Sequence, residues 1–260
     1  MSITSGAIAT VQSGCALIIN ADDWGRNRET TDRILDCLKL GSVTATSGMV
    51  FMEDSERAAS IAREYEIDTG LHLNLTTPFS DVSCGFKKLR EHQEKIGQFL
   101  LRSRIAQVIY NPLLTNSFHY VVKAQIEEYA RLYGKNPMRI DGHHHMHLCS
   151  NVLFGRLLLK GTIVRRSFSK LPEEKGMANR FWRNFVNSRL ARRHRITDYF
   201  FSIEPLDPEH LQTIVKLASH SVVEMETHPV NKQQYHFLVS GGLLEFSGTA
   251  KVSSFSQYFN

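Results

Sequence analysis

The sequence is poor in cysteine and proline and has no long apolar run. Its few cysteines form no CxxC pair, which argues against a zinc cluster, a redox dithiol or a disulfide-dense scaffold; they are Cys15, Cys37, Cys84 and Cys149. No run of about 18 apolar residues occurs, so no membrane-spanning helix is predicted. The 7 prolines and 16 glycines are too few for a collagen-like or low-complexity chain. We therefore expect reduced thiols and a cytoplasmic location.

The composition is that of an ordinary globular protein. Of the 260 residues, 42% are hydrophobic and 22% are charged, which suits a chain with a sizeable core. Residues 1–14 contain no Lys or Arg, and the apolar stretch CALII that follows is too short for a secretory signal. We expect residues 1–14 to be a flexible lead-in and residues 15–260 to form a single domain.

Positive charge is concentrated in one basic segment. Residues 156–195 contain twelve Lys or Arg and two Glu, a net charge of +10, whereas the rest of the chain carries −5. Apolar residues at near-helical spacing from Phe181 to Leu190 predict an amphipathic basic helix there. Its apolar stripe packs on the core, or its basic face contacts an anionic membrane or an acidic substrate. No DNA-binding or RNA-binding motif accompanies the charge, so we expect no nucleic-acid partner.

Strand and helix patterns alternate along the chain. Seven short apolar runs are typical of buried parallel strands, and they cover 15–20, 43–50, 70–75, 138–148, 162–166, 199–203 and 221–229. Amphipathic spacing predicts helices between them, including 28–40, 118–133, 151–160 and 208–219. A long connection, residues 76–117, contains a predicted helix from about Phe99 to Tyr110. The alternation predicts an α/β fold, an incomplete (β/α) barrel in its most economical form.

Asp and His residues are concentrated at four predicted strand ends. The motifs NADDWG, GLHLNLT, DGHHHMH and ETHP lie on or after the first, third, fourth and last strands. The carboxyl ends of barrel strands meet at one mouth, where catalytic residues lie. Imidazole and carboxylate groups bind divalent ions, and a catalytic site keeps three protein ligands. We therefore predict a metal site built from Asp22 or Asp23, His72 and one histidine of the fourth strand.

The roles of the remaining residues follow from strand geometry and proton chemistry. Alternation along a strand places His143, His145 and His147 on one face, and His143 is the favoured ligand with His145 in reserve. The aspartate that is not a ligand would accept a proton from water. His228 is placed to act as a general acid, because an imidazole exchanges protons near neutral pH. Asp141 would brace the histidines of its own strand.

Each part of this site has an ordinary alternative. A lone histidine on an apolar strand is often a hydrogen-bonded core residue, and an aspartate can cap a helix. The HHHMH run could bind metal adventitiously. A phosphoesterase, a non-haem iron oxygenase and a sugar-binding or membrane-associated module without turnover remain alternative functions. The joint occurrence of Asp and His at four strand ends favours a catalytic metal site.

Together these motifs resemble the YdjC-like carbohydrate deacetylases, a family that includes the chitooligosaccharide and hopanoid-associated deacetylases. NADDWG, GLHLNLT, DGHHHMH and a late THP occur in the order of that family over roughly residues 15–240. Trp24 stands where the family often has Phe. The connection 76–117 and the basic segment 156–195 match no motif of the family, and such regions would shape the substrate groove.

The resemblance implies a distorted (β/α) barrel like that of the polysaccharide deacetylases. It implies a metal-dependent hydrolase that removes an N-acetyl group from an amino sugar and releases acetate. By position, Asp23, His72 and His143 would be the metal ligands, Asp22 the base and His228 the acid. Mg²⁺ or Zn²⁺ is the expected ion, with Mn²⁺, Co²⁺ and Ni²⁺ as alternatives. The expected partners are an N-acetylated sugar, a second copy in a homodimer and, through the basic segment, a membrane surface.

Overall fold

The structure is a computed structural model that describes residues 14–81, 87–169, 177–247 and 250–259. The predicted lead-in, apart from Gly14, lies outside these residues, as do residues 82–86 of the long connection and 170–176 of the basic segment. The described residues form seven β-strands, numbered β1 to β7 in chain order: Ala16–Trp24, Ala45–Gly48, Thr69–Leu73, Arg139–Gly142, Ile163–Val164, Tyr199–Ser202 and Val222–Thr227.

All seven strands lie in one parallel sheet. Their order is β5-β4-β3-β2-β1-β7-β6, and every neighbouring pair is parallel. In the described part of the chain the edge strands β5 and β6 do not pair with each other, so the barrel is open there. Ser169 and Phe200 exchange two hydrogen bonds across this opening, at 2.8 and 3.0 Å. The predicted α/β fold and incomplete (β/α) barrel are therefore confirmed.

Helices pack around the sheet. Within the described ranges they are numbered α1 to α10: Arg28–Lys39, Ser55–Glu64, Lys87–Leu101, Thr115–Tyr133, Ser150–Gly155, Met177–Ala191, Pro208–Ala218, Lys232–Val239, Gly242–Ser247 and Phe255–Phe259. Of these, α1, α2, α4 and α7 pack against the strands of the sheet. None of these described helices has both the length and the apolar character needed to cross a bilayer.

Two predicted helices differ from the observed ones. The helix predicted from Phe99 to Tyr110 is wrong, because α3 ends at Leu101 and the rest of that range contains only a 3₁₀ turn, Arg104–Gln107. Ser103 separates the two with an extended backbone (φ −167°), and its hydroxyl caps the turn. The helix predicted over 151–160 ends at Gly155, since the next residue adopts a left-handed conformation.

Side chains along each strand alternate between the helix layer and the barrel interior. On β1, Leu17 and Ile19 pack under the helices, whereas Ala16 and Ile18 point into the barrel. The inward residues at the amino ends of the strands, together with one residue of α10, form a separate apolar cluster: Ala16, Ile18, Ala45, Ile163, Val222 and Phe255. This cluster fills the bottom of the barrel and is 4% exposed or less at every position.

The inward positions become polar toward the carboxyl ends of the strands. Asn20 and Asp22 continue the inner face of β1, and the same change occurs on β3, β4 and β7. The inward polar residues are all buried: Asn20, Asp22, His72, Asp141, Glu224 and Glu226. The interior therefore has an apolar lower layer and a charged upper layer, and the charged layer positions the candidate site.

Candidate active site

The end of β1 brings two adjacent carboxylates to the same place. Successive side chains of a regular strand point to opposite faces, but the pairing of β1 with β2 shifts between Ala21 and Trp24. Asp23 lies in this irregularity with a left-handed backbone (φ 71°), a conformation that Asp tolerates better than most residues. As a result, Asp22 and Asp23 are both buried at the carboxyl end of the strand, 2% and 1% exposed.

Asp23, His72 and His143 meet at the mouth of the barrel. Asp23 Oδ1 lies 3.4 Å from His72 Nε2 and 2.9 Å from His143 Nδ1, and one ligand atom from each residue lies within 4.8 Å of the other two. Asp23 Oδ1 and His72 Nε2 are buried, and despite these short distances neither makes a well-oriented hydrogen bond to any described residue. Burying polar atoms without a partner is costly. A carboxylate and two imidazoles converging in this way fit a divalent cation.

The imidazole of His72 is oriented by Asp141. His72 Nδ1 lies 2.7 Å from Asp141 Oδ1, which leaves Nε2 directed toward Asp23. Burial disfavours the charged imidazole, but Asp22, Asp141 and Asp23 outweigh it and raise the pKa of His72 to about 10. The surroundings of Nε2 therefore favour positive charge. Asp141 braces a histidine of the neighbouring strand, and not those of its own strand as predicted.

Asp22 is held by a buried arginine. Arg165 Nη1 donates to Asp22 Oδ2 at 2.6 Å and Arg165 Nη2 donates to Asp22 Oδ1 at 2.7 Å, a bidentate pair. The Asn20 side-chain amide donates to Asp22 Oδ1 at 2.7 Å. Burial would raise the pKa of Asp22, but Arg165 and His72 lower it to about 2. Asp22 is therefore an ionised carboxylate with a fixed orientation.

His228 lies at the rim of the same site. Its side chain is 34% exposed, with Nε2 3.9 Å from Asp22 Oδ2 and Nδ1 3.9 Å from Glu226 Oε1. One ligand atom from each of Asp22, Glu226 and His228 also lies within 4.8 Å of the others. The backbone N–H of His228 donates to Gln234 Oε1 at 2.6 Å, which ties this rim to α8. An imidazole here reaches both solvent and the carboxylates.

The strand alternation predicted for HHHMH is wrong. β4 ends at Gly142, and His143–Leu148 form a 3₁₀ turn in which His144 and His145 have left-handed backbones (φ 54° and 57°). A Cβ at position 142 would lie 3.0 Å from the His147 side chain, so glycine allows the turn to fold back this closely. The turn still delivers His143 to Asp23, because His143 directly follows the strand.

The other histidines of this turn contact different partners away from Asp23. His145, the predicted reserve ligand, lies with Nε2 3.5 Å from Glu226 Oε2 and its ring 4.6 Å from that of Phe168. His147 Nε2 lies 3.0 Å from the Arg165 carbonyl oxygen, and His144 Nδ1 lies 3.0 Å from the Thr76 hydroxyl. Among these histidines of the turn, only His143 belongs to the group around Asp23 that could hold a metal.

The sequence interpretation missed several charged residues of the interior. Arg139 donates to Asp141 Oδ2 at 2.5 Å, and Arg165 also contacts Glu224 and Glu226, at 2.7 and 3.1 Å. A signal existed, since Arg139 lies two positions before Asp141 on a predicted strand and therefore shares its face. Arg165 lies inside the predicted strand 162–166, but it was counted with the basic segment.

Comparisons with known sequences show which proteins this chain resembles. The sequence model of the YdjC-like protein family matches residues 16–245. A carbohydrate deacetylase of Mus musculus is 29% identical over 171 residues, which cover 64% of this chain and 53% of that protein. A chitooligosaccharide deacetylase of Serratia marcescens is 30% identical over 133 residues, covering 51% of this chain and 50% of that protein. The chain thus spans about half the length of the curated relatives it matches.

Solved structures share the fold. A protein of Enterococcus faecalis, proposed to cleave cellobiose phosphate, superposes with a TM-score of 0.67 at 18% identity over 94% of this chain and 99% of its own. The catalytic domain of a peptidoglycan N-acetylglucosamine deacetylase from Eubacterium rectale gives a TM-score of 0.50 at 10% identity over 96% and 92%. Such low identities establish the fold alone. The family match, in contrast, spans most of the chain and includes every motif of the site, and the chain therefore belongs to the YdjC-like protein family.

Proposed function

We propose that the protein is a divalent-metal-dependent hydrolase that removes the N-acetyl group from an amino sugar of an oligosaccharide or glycoconjugate and releases acetate. The observation that carries this proposal is the convergence of two buried, unpartnered ligand atoms, Asp23 Oδ1 and His72 Nε2, beside the ionised Asp22. Membership of the YdjC-like family and the names of its deacetylase relatives support the reaction and the substrate class.

Asp23, His72 and His143 would hold the ion. The mixture of one carboxylate and two imidazoles suits Mg²⁺ or Zn²⁺, with Mn²⁺, Co²⁺ and Ni²⁺ as alternatives. A divalent ion bound at such a site polarises the amide carbonyl and makes water easier to deprotonate. Neighbouring residues orient the side chains that would bind the ion. Asp141 fixes the His72 ring, and Arg26 donates to Asp23 Oδ2 at 2.9 Å.

Asp22 is the proposed base. Its Oδ2 atom lies 3.9 Å from both His72 Nε2 and His228 Nε2, so it borders the space between the ligand cluster and the rim. Asp22 accepts one proton from the attacking water, and the water oxygen bonds to the acetyl carbon. The bidentate contact with Arg165 keeps the carboxylate turned toward that space.

His228 is the proposed acid. When the bond between the acetyl carbon and nitrogen breaks, the amine needs a proton, because an amide nitrogen departs poorly as an anion. His228 donates this proton from the rim, on the side of the site open to solvent. The products are acetate and a free amino sugar.

The test is an acetate-release screen on N-acetylated mono- and oligosaccharides, using chelated and metal-restored protein. We expect activity only with metal restored. His72→Ala should lose both bound metal and activity, whereas His228→Ala should keep its metal and lose turnover by about 10²- to 10⁴-fold. His236→Ala is the matched control, because His236 is exposed and outside the site.

Three outcomes would reject the proposal. Full metal content in His72→Ala would remove His72 from the ligand set. Release of phosphate from phosphorylated sugars, without release of acetate, would assign the site to a phosphoesterase. Binding of an oligosaccharide by metal-loaded protein without any product would indicate a sugar-binding module without turnover.

A further inference from the structure

Helix α6 leaves one of its apolar sides in solvent. Val186 and Leu190 are each 2% exposed and pack on the core, but Phe181 is 77% exposed and Phe185 is 40% exposed. Phe181 and Phe185 are four residues apart, so they occupy the same face of the helix. The helix is therefore apolar on its core side and also on its outer side.

Neighbouring elements extend this exposed apolar face. Phe154 of α5 is 40% exposed, with its ring centroid 6.4 Å from that of Phe185 and the Arg189 guanidinium 4.8 Å above it. The turn before α4 adjoins α5, since the Ser150 hydroxyl donates to the Val108 carbonyl at 2.6 Å. The exposed apolar residues of that turn are Ile105, Val108, Ile109, Tyr110 and Leu113. We call the faces of residues 104–114, α5 and α6 together the α5–α6 surface.

The α5–α6 surface is also strongly basic. Residues 104–114, 150–156 and 177–192, which cover this surface, contain six Arg and no Lys, Asp or Glu. In the described part of the chain, Arg156, Arg189 and Arg192 form no ion pair with a carboxylate. Large exposed apolar patches with a polar rim mark interaction sites. The exposed phenylalanines and arginines of α6 lie within about one helical turn of each other. The partner must therefore offer an apolar environment and negative charge at that spacing.

We propose that the α5–α6 surface docks the protein peripherally on a membrane that contains anionic phospholipids. Phe181 and Phe185 insert among the acyl chains, while the arginines beside them contact the headgroup phosphates. A bilayer offers both environments at every point, because the acyl chains lie directly beneath the phosphates. A second copy of this chain fits the charge poorly, since a two-fold contact would place the same arginines opposite each other.

The α5–α6 surface adjoins the candidate site. A cavity of about 720 Å³ is lined by Arg104 and Arg183 of this surface, by Phe168, and by the acidic residues Glu204, Asp207 and Glu209. The ring of Phe168 contacts that of His145, which borders Glu226. Docking would therefore place a membrane beside this cavity. The docking proposal does not depend on which reaction the site performs.

The first test is cosedimentation with vesicles of phosphatidylglycerol mixed with phosphatidylcholine, and with phosphatidylcholine alone. We expect binding to the mixed vesicles at low salt and release as salt rises. Phe181→Ser with Phe185→Ser should weaken binding at least about tenfold, because two buried phenyl rings are lost. Leu40→Ser with Tyr65→Ser is the matched control, since these side chains are 54% and 58% exposed on other elements.

Charge is tested in the same assay. Arg189→Gln with Arg192→Gln should weaken binding to the mixed vesicles, whereas Lys39→Gln with Lys232→Gln should not, although it removes the same charge. The two control lysines lie on other helices, α1 and α8. If the arginine and lysine double variants weaken vesicle binding equally, net charge alone controls binding, and the assignment to this surface is overturned.

The two tryptophans of the chain provide a local probe. Trp24 is completely buried, whereas Trp182 lies on α6 with its ring 5.6 Å from that of Phe185. Vesicles with brominated acyl chains should quench Trp182 emission, and Trp182→Phe should abolish the quenching while sedimentation persists. No sedimentation at low salt, or sedimentation without quenching, would overturn the proposal. A mass in solution that falls to that of one chain in the Phe181/Phe185 variant would instead assign the surface to self-association.

Discussion

Arg165 contacts more carboxylates than any other described residue of the site. It pairs with both oxygens of Asp22, donates to Glu224 and Glu226 and lies 3.3 Å from Asp141. Burial disfavours its charge, but these carboxylates outweigh burial and hold the pKa of Arg165 well above its ordinary value. A buried ion pair adds little over an apolar pair of equal volume, yet removal of one partner leaves uncompensated charge. Asp22, Glu224 and Glu226 therefore depend on Arg165 for their positive partner, whereas Asp141 is also paired with Arg139.

Replacement of Arg165 should strongly destabilise the folded protein. We expect Arg165→Met to lower the free energy of unfolding by about 3–5 kcal/mol, because its carboxylate partners lose their cation inside the barrel. Arg165→Lys keeps the charge without the bidentate geometry and should lose less. Urea denaturation followed by circular dichroism measures both.

Arg131→Met provides the comparison for this prediction. Arg131 is 55% exposed and pairs with Glu128 and Glu56, so solvent screens these pairs and the loss of Arg131 should cost about 0–1 kcal/mol. Similar losses for the Arg165→Met and Arg131→Met variants would contradict the role given to the buried network.

The residues gathered at the candidate metal site were predictable because their motifs lie at or near strand ends. Asp22, Asp23 and His143 follow apolar runs, His72 lies within one, and parallel strands bring their carboxyl ends together. The fate of His145 was not predictable, since left-handed backbones at His144 and His145 break the alternation of a strand. Nor does composition reveal that Arg165 is buried among carboxylates, because the same residue type is usually solvated.

At the scale of elements, α6 carries two apolar faces, of which one is buried and the other is exposed. One face holds the helix on the core through Val186 and Leu190, and the other exposes Phe181 and Phe185. The simpler interpretation, in which the stripe packs on the core, describes only the first face. Periodicity could not separate the two faces, because both are apolar and lie at adjacent helical positions.

The two faces should differ in their effect on stability. We expect Leu190→Ala to lower the free energy of unfolding by about 2–5 kcal/mol, since it leaves a cavity in the core. Phe181→Ala should change it by no more than about 0.5 kcal/mol, because the ring is exposed. Chemical denaturation of both variants gives the comparison, and a large loss in Phe181→Ala would show that the ring is covered in solution.

The strands were easier to predict than the helices. All seven predicted strands exist, because short apolar runs bounded by polar residues are typical of buried parallel strands. The helix predicted from Phe99 to Tyr110 failed, although its residues are apolar enough. Ser103 caps a separate turn there by accepting from the Ala106 N–H at 3.3 Å, and this local hydrogen bond competes with the helix.

At the scale of the whole molecule, the proposed metal joins strands that are far apart in sequence. β1, the β3 residue His72 and the turn after β4 each contribute one ligand to the group. Such a site does not exist in the unfolded chain, so binding free energy adds to folding free energy. Metal should therefore stabilise the entire fold.

Thermal unfolding measures this linkage. At a free metal concentration about 100 times the Kd, we expect the free energy of unfolding to rise by about 2.7 kcal/mol relative to chelated protein. The increase should be absent in His143→Ala and present in His236→Ala, whose imidazole is exposed on α8. An unchanged increase in His143→Ala would place the stabilising ion elsewhere.

The apolar cluster at the amino ends of the strands limits how substrate and product can reach the interior of the barrel. Ala16, Ile18 and Phe255 are each at most 2% exposed, so the floor of the barrel offers no passage. Neither substrate nor product would therefore pass the amino ends of the strands. If both use the side where His228 is exposed, acetate and the amino sugar must leave before the next substrate binds.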